Sequence, residues 1–374
     1  MQDKKILYTV LSGDIAGGQM VCLGIMEASQ NAGYKVLLLS QTEGPFTELV
    51  RSKGIKVYVI PLKRSFYFYK IPILMGILIK ERINMVHSHD FVSGNILIRI
   101  AARLSNTPVI SHMHIKNHYS NISRLYARNL DNITAGFCKK IIAVSHSIKK
   151  DLIEQGYPEN NIEVIYNGIK IEEKKEDFFK ENLLDDLYLR EDYKIFLCAG
   201  RLCKNKGQED LIHAAYKIVK EHPETCFIFA GEDIERNGLY KEELYDMVKY
   251  FKLEDNVRFL GLRKDTKNLL EISDCLILPS YVEGLRFVVL EAMAERKPVI
   301  AYSVDGVPEE VIDGQTGYLV NKGDIEALKE AILKIIKDPE KAKILGENGY
   351  NIVKQKFNLT DKANRILEIY REIV

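Results

Sequence analysis

Cys275-Leu276-Ile277-Leu278-Pro279-Ser280-Tyr281-Val282-Glu283-Gly284-Leu285-Arg286-Phe287-Val288-Val289-Leu290-Glu291 is the stretch on which the reading of this chain turns. Its first four residues are all apolar, as in a parallel strand covered on both faces. Pro279-Ser280 turns the chain, and a second apolar run then opens a helix. In a doubly wound sheet, ligands bind beyond the carboxyl ends of the strands. Glu283 therefore falls where a ligand is met, in the strand-to-helix loop, and Glu291 follows eight positions later in the first turns of the helix. A carboxylate accepts two hydroxyl hydrogen bonds, so such a pair suits a sugar or a ribose. Glu291 has a second reading as a charge placed on the positive end of the helix.

The same rhythm extends in both directions. Short apolar runs at 6–10, 36–40, 57–60, 85–87, 109–111 and 141–144 alternate with amphipathic stretches at 19–31, 71–81, 93–104 and 123–136. Further runs follow at 195–199, 226–230, 257–260 and 299–301, and the chain closes on helical patterns at 324–337, 342–354 and 360–373. Alternating strands and helices predict parallel sheets with helices on both faces. Residues 171–192 are charged and mostly acidic, without core periodicity, and read as a linker. Two α/β domains follow, at 1–170 and 193–357, facing each other across a cleft.

Composition fits this. The chain has 374 residues, 46% hydrophobic and 28% charged, which excludes disorder and gives each of two domains enough residues for its own core. Net charge is +1, but residues 1–170 carry 21 Lys/Arg against 12 Asp/Glu, placing this half at +9 and the remainder at −8. Only the first half is expected to meet an anionic surface, and a nucleic-acid-binding role for the whole chain is disfavoured. The cysteines Cys22, Cys138, Cys198, Cys203, Cys226 and Cys275 show no C-x-x-C spacing and read as buried thiols in a reducing compartment. The N-terminus lacks a secretory leader pattern, and the longest apolar run, 71–79, falls short of the ~20 residues of a membrane span. A cytoplasmic location, at most on the cytosolic face of a membrane, is expected.

Other loops after apolar runs carry chemistry-bearing residues. Leu11-Ser12-Gly13-Asp14-Ile15-Ala16-Gly17-Gly18-Gln19 joins the first strand to the first helix, where glycines and free N–H groups can approach a phosphate. It is not G-x-G-x-x-G, and a glycine turn without a ligand is the other reading. Gly200-Arg201-Leu202-Cys203-Lys204-Asn205-Lys206-Gly207 follows the first strand of the second half. Arg201 and Lys206 suit a diphosphate, with a solvated surface pair as the alternative. Six of the eight histidines lie between positions 87 and 146. His87-Ser88-His89-Asp90 ends one strand and His112-Met113-His114 the next. An H-x-H on a strand puts both rings on one face, as hydrolase metal sites do, but the D-H that completes H-x-H-x-D-H is missing. Substrate contact or proton donation is the preferred reading, with packing and metal as the alternatives.

These residues together resemble glycosyltransferase family 4. The resemblance rests on Gly200-Arg201-Leu202 with Lys206-Gly207, the E-x7-E from Glu283 to Glu291 with Ala292-Met293-Ala294, and Val304-Asp305-Gly306-Val307-Pro308-Glu309. Gly314, Thr316-Gly317, Val144-Ser145 and Ile165-Tyr166-Asn167-Gly168 add to it, and it covers nearly the whole chain in order. It implies a GT-B architecture of two Rossmann-like domains, with donor nucleotide on the second and acceptor on the first. It also implies retention of anomeric configuration and no cofactor or obligatory metal. Arg201 and Lys206 match the cations on the donor diphosphate, Glu291 the carboxylate on the ribose, and Glu283 the one on the sugar hydroxyls. The backbone N–H groups of Gly284, Leu285, Arg286 and Phe287 are expected near sugar and phosphate, and Gly17 and Gly18 at the phosphates. His114 matches the histidine beside the transferred sugar; with Glu283, Arg201 and Lys206 it forms the expected catalytic set. Asp14, His89 and Lys116 are acceptor-side candidates. The helix over 358–374 is similar to a segment that packs back on the first domain. Arg286 stands where Gly or Pro is frequent, and Asp305 where Gly is frequent.

The expected reaction moves a hexosyl unit from a nucleotide-diphosphate sugar, UDP-sugar favoured, to a hydroxyl of a saccharide or lipid-linked acceptor in surface polysaccharide or glycolipid synthesis. A nucleotide-sugar epimerase or hydrolase on the same fold is the alternative, and a non-catalytic sugar-binding scaffold is another. Lys63-Arg64-Ser65-Phe66-Tyr67-Phe68-Tyr69-Lys70, followed by the apolar run 71–79, suits contact with an anionic membrane. Arg99, Arg103, Lys116, Arg124 and Arg128 are expected to extend that basic surface.

Overall fold

A computed structural model describes residues 4–62, 67–90, 92–114, 122–171, 180–234, 236–283 and 285–374. The chain divides into two compact units, Met1–Lys170 with Phe357–Val374, and Ile171–Lys356.

The first unit is built on a sheet of β1 (Lys5–Val10), β2 (Lys35–Ser40), β3 (Lys56–Val59), β4 (Met85–His89), β5 (Val109–Met113), β6 (Lys140–Ala143) and β7 (Ile162–Val164). The spatial order is β3-β2-β1-β4-β5-β6-β7, and every pairing is parallel. The chain winds from β1 outward to β3, then returns to the other side of β1 with β4. The switch point therefore lies between β1 and β4, where the helices leave on opposite faces and open a crevice. β4 and β5 run two residues beyond the apolar runs read from sequence, so His89 and His112 belong to the ladders. β7 was not anticipated, because three residues at a sheet edge carry no periodicity.

The helix Leu359–Ile373 lies on the helix Gly17–Asn31. Its start is tied to the chain before the second unit, with Ile169 N–H donating to Phe357 O at 2.8 Å and Leu359 N–H to Ile169 O at 3.1 Å. Its end is tied to β1 by Tyr8 Oη and Tyr370 Oη, 3.0 Å apart in the core.

Arg99 corrects the expectation of a basic outer face. It is fully buried on the helix Val92–Leu104, with Nη1 2.7 Å from Asp131 Oδ1 and Nε donating to Ser111 Oγ at 2.9 Å. An apolar helix face can hold a guanidinium only with an anion and acceptors supplied, and Asp131 and Ser111 supply them.

The second unit has β8 (Lys194–Ala199), β9 (Thr225–Ala230), β10 (Val257–Gly261), β11 (Cys275–Leu278), β12 (Val299–Tyr302) and β13 (Gly317–Val320), in the order β10-β9-β8-β11-β12-β13. All its pairings are parallel too. Phe196 and Phe227 stack across β8 and β9 with centroids 5.5 Å apart, in a core that includes Leu211, Ile277, Ile300 and Ile332. Here the switch point lies between β8 and β11. The expected linker is in part an element of this unit. Residues 172–179 lie outside the described residues, but Lys180–Asp186 is a helix whose Leu183 and Leu184 are buried, and it packs on the helix Thr266–Ile272. No helix among the described residues is long and apolar enough to cross a membrane.

Candidate active site

The two loops that leave β8 and β11 flank the switch point of the second sheet, and they carry Arg201, Lys206 and Glu283. Close backbone approach brings the loops together. Gly207 has φ +64° and lies so near Pro279 that a Cβ there would meet the Pro279 carbonyl oxygen at 1.9 Å. Only glycine fits on both counts. Tyr281 N–H donates to Asn205 O at 2.8 Å and fastens one loop to the other. A Cβ at Gly231, after β9, would similarly lie 1.8 Å from Gly200 O.

The consequence is a buried ion pair. Lys206 Nζ donates to Glu283 Oε1 at 2.7 Å, with both residues buried. Arg286 Nε lies 2.7 Å from Glu283 Oε2, an ionic contact in which the Nε–H does not point along the line of centres. Glu283 therefore stands between two cations, one on each oxygen. Burial, and next the Arg286 charge, pull the Lys206 ammonium below the usual lysine range, against Glu283, which favours the charged form. Arg201 is exposed on the same loop, and its carbonyl accepts from Gln208 Nε2 at 2.9 Å.

Two supports of this cluster were not assigned from sequence. Asp305 Oδ2 accepts the Glu283 N–H at 2.8 Å. Asp305 has φ +47°, which accounts for glycine being frequent at this position in the resembled family and for the tolerance of Asp, whose short side chain is among the few that adopt the left-handed region. Glu310, fully buried, accepts the Arg286 N–H at 3.1 and 3.0 Å through its two oxygens. Burial pushes its carboxyl well above the usual range. The Arg286 N–H, expected near sugar and phosphate, is thus held by Glu310. Glu310 adjoins the quoted Val-Asp-Gly-Val-Pro-Glu run but carried no signal of its own. Leu285 is buried, Phe287 begins the helix Phe287–Ala294, and Gly284 lies outside the described residues. Glu291 is half-buried in the second turn of that helix, and burial, reinforced by Glu295, pushes its carboxyl up to about 7.

In the first unit the structure brings together Gly18, His89 and His114. The helix Gly17–Asn31 starts after β1, and a Cβ at Gly18 would lie 3.7 Å from the His114 ring. His114, just past β5, contacts His89 at the end of β4, with Nε2 2.9 Å from His89 Nδ1. Burial lowers the His114 pKa to about 4 and that of His89 well below the usual range, so both rings are neutral at neutral pH. Asp14 is exposed in the loop after β1, where Ser12 Oγ donates to its Oδ2 at 2.5 Å. Lys116 lies outside the described residues.

Residues 179–352 match the family described as Glycosyl transferases group 1, and residues 15–173 match Glycosyltransferase Family 4. The chain is 27% identical over 382 residues to the UDP-Gal:alpha-D-GlcNAc-diphosphoundecaprenol alpha-1,3-galactosyltransferase of Escherichia coli, covering 99% of this chain and 97% of that protein. It is 30% identical over 332 residues to an uncharacterized glycosyltransferase of Methanocaldococcus jannaschii, covering 86% of each. Among solved structures, Anabaena HepE in complex with UDP superposes with a TM-score of 0.88 at 24% identity, over 98% of this chain and 100% of that one, and so shares the fold. Two parallel sheets flanked by helices, the matched families and this relative of 30% identity place the chain in the group 1, family 4-like glycosyltransferases, as an enzyme of that class.

Proposed function

We propose that this enzyme transfers a hexosyl unit, with retention of configuration, from a UDP-sugar to a hydroxyl of a saccharide or lipid-linked acceptor in surface polysaccharide or glycolipid assembly. The observation that carries the reading is the set of cations around Glu283 on the two loops flanking the second switch point. The Escherichia coli relative supports it, since its name gives a UDP-galactose donor and an undecaprenol-diphosphate-linked acceptor. The structural likeness to a UDP-bound protein is in keeping with the nucleotide.

In this reading Arg201 and Lys206 take the negative charge that grows on the leaving diphosphate, so the protein supplies the cations and no metal is required. Lys206 is preorganised by its bond to Glu283 and needs no reorganisation at the moment of transfer. Glu283 has about four lone-pair positions and uses those left by Lys206 and Arg286 for sugar hydroxyls. Glu291 receives the ribose hydroxyls. His114, kept neutral by burial, hydrogen-bonds the transferred sugar without adding charge. The leaving phosphate takes the acceptor proton on the same face of the sugar, which retains configuration.

For the acceptor, the helix Ile71–Lys80 turns Ile73 and Ile79 to solvent, 51% and 64% exposed, beside Lys80. Lys70 lies over the Tyr67 ring at 4.8 Å. An apolar face edged by lysines and tyrosines suits an anionic lipid surface. Residues 63–66 of this segment lie outside the described residues.

A thermal-shift panel of UDP, GDP, ADP and CMP with their sugars tests the donor. A ligand at ~100 times its dissociation constant stabilises by roughly 2.7 kcal/mol. UDP and a UDP-sugar should raise the melting temperature of the parent, and Arg201→Ala should weaken the shift. Silence across the panel sinks the donor assignment. Free sugar released without acceptor would move the reading to hydrolysis. Sedimentation with phosphatidylglycerol vesicles tests the surface: Ile79→Asp should reduce it, and no dependence on anionic lipid removes this part.

A further inference from the structure

The first unit holds a buried histidine cluster larger than sugar transfer uses. β4 places His87 and His89 on one face, and the adjacent β5 places His112 beside them, because side chains two apart on a strand share a face. Ring centroids lie 4.5 Å apart for His87 and His89, 4.6 Å for His89 and His112, and 5.3 Å for His87 and His112. One nitrogen from each of the three rings can be chosen so that all lie within 4.8 Å of one another. The three residues are 0%, 8% and 1% exposed, which shields the cluster from bulk water.

Hydrogen bonding leaves this cluster unsatisfied. His87 Nδ1 is bonded to Tyr370 Oη, and His89 Nδ1 to His114 Nε2 at 2.9 Å. His112 Nδ1 lies 3.3 Å from His87 Nε2. Nε2 of His89 and Nε2 of His112 have no partner among the described residues. A buried polar group left unpaired costs about 1–3 kcal/mol, and two in one cluster call for an occupant.

We propose that His87, His89 and His112 form a binding site for a divalent transition-metal ion of the zinc type. Three neutral imidazoles without thiolate select such an ion over magnesium or calcium, which require oxygen ligands. Imidazole nitrogens about 2.0–2.1 Å from a tetrahedral ion lie roughly 3.4 Å apart; the ring planes now meet at 11° to 40°, so the rings turn on binding to aim their lone pairs at one ion. The second shell is already present. Tyr370 bonds Nδ1 of His87 and His114 bonds Nδ1 of His89, which leaves Nε2 of each ring for the ion, the arrangement of outer-shell partners of metal-bound histidines. Tyr370 is held in turn by Tyr8, whose hydroxyl meets Ser29 Oγ at 2.7 Å. H-x-H on β4 lacks its usual D-H continuation, and the fold supplies the third ring from the neighbouring strand. The three ligands lie outside the Arg201–Lys206–Glu283 set, and the proposed sugar-transfer reading meets the cluster only at His114, which bonds His89; metal binding is read without sugar transfer, so the two can fail separately.

Cobalt(II) titration of the full chain tests this. One equivalent should bind with the visible ligand-field bands of a tetrahedral nitrogen-rich site, and zinc should displace it. His112→Ala should abolish the bands, Tyr370→Phe should weaken binding by roughly tenfold or more, and His213→Ala should leave it intact. Should His112→Ala fail to fold, nitrogen NMR of histidine-labelled parent decides: zinc must move the ring signals of His87, His89 and His112 and spare His213 and His222. Absence of bands in folded parent, equal binding by His112→Ala, or shifts confined to other histidines overturns the site.

Discussion

Asp305 holds Glu283 by its backbone, accepting the Glu283 N–H at 2.8 Å from a residue whose own φ is +47°. Backbone conformation and acceptor can be separated by substitution. Asp305→Gly relaxes the conformation but removes the acceptor, whereas Asp305→Ala removes the acceptor and strains the backbone by about 1–2 kcal/mol. Both variants should raise KM for the sugar donor by a similar factor, with Ala melting several degrees below Gly. Asp305→Asn should behave as the parent in melting. Unchanged KM in Gly and Ala would mean that Glu283 needs no such anchor.

Lys206 and Glu283 are both buried, so each single substitution leaves a charge behind. Breaking a buried pair from one side costs about 3–5 kcal/mol; Arg286 remains beside Glu283, which places Lys206→Met at the low end of that range. Glu283→Gln leaves Lys206 without its carboxylate. The double variant Lys206→Met/Glu283→Gln should recover much of the lost stability in a double-mutant cycle, while sugar transfer stays at least about a hundredfold below the parent, the scale of losing a preorganised electrostatic group. Recovery of activity along with stability would show the pair to be structural only.

How much of this was legible follows from what each residue's signal rests on. Glu283, Lys206 and Arg201 could be placed because strand ends and loop glycines are local patterns, and a doubly wound sheet turns local patterns into a position near its switch point. Asp305 showed only as a departure from a glycine, and its φ supplies the reason. Glu310 could not be found, since a buried carboxylate bonded to a backbone N–H 24 residues earlier has no periodicity of its own. Arg99 was misplaced on an outer face. Its partner Asp131 lies on a different helix, and nothing within the Val92–Leu104 pattern marks that face as covered. His112 is a case in which the fold joined what the sequence kept apart, because the pairing of β4 with β5 brings two separate H-x-H motifs side by side.

Glu310 makes a prediction about pH. Its folded-state pKa lies well above the ordinary 4.5, so the stability this group allows is fully present below about pH 4.5 and is lost as pH rises toward the folded value. Glu310→Gln retains an oxygen to accept the Arg286 N–H and cannot ionise. Melts at about pH 5 and about pH 8 should show the variant gaining on the parent as pH rises, by up to ~1.4 kcal/mol for each pH unit over which the two states differ by one proton. Glu291, pushed up to about 7, acts in the same direction but is common to both proteins and cancels in the difference. A gap between variant and parent that stays constant with pH would rule out this role for Glu310.

Arg99 and Asp131 form a fully buried pair, which Tyr157 joins by donating its hydroxyl to Asp131 Oδ2. Asp131→Asn leaves the guanidinium facing a neutral amide in a dry site, and Arg99→Met takes the guanidinium from the carboxylate while Tyr157 keeps its hydroxyl there. Each should lower the urea midpoint in proportion to about 3–5 kcal/mol, with Arg99→Met the milder because Tyr157 still donates. Arg99→Met/Asp131→Leu removes both charges and should regain most of the loss, leaving a residual set by the Tyr157 hydroxyl. Because Arg99 does not reach solvent, Arg99→Met should leave sedimentation with anionic vesicles unchanged in the fraction that folds. A drop in vesicle binding equal to that of Ile79→Asp would contradict the burial of this side chain and return it to the basic face.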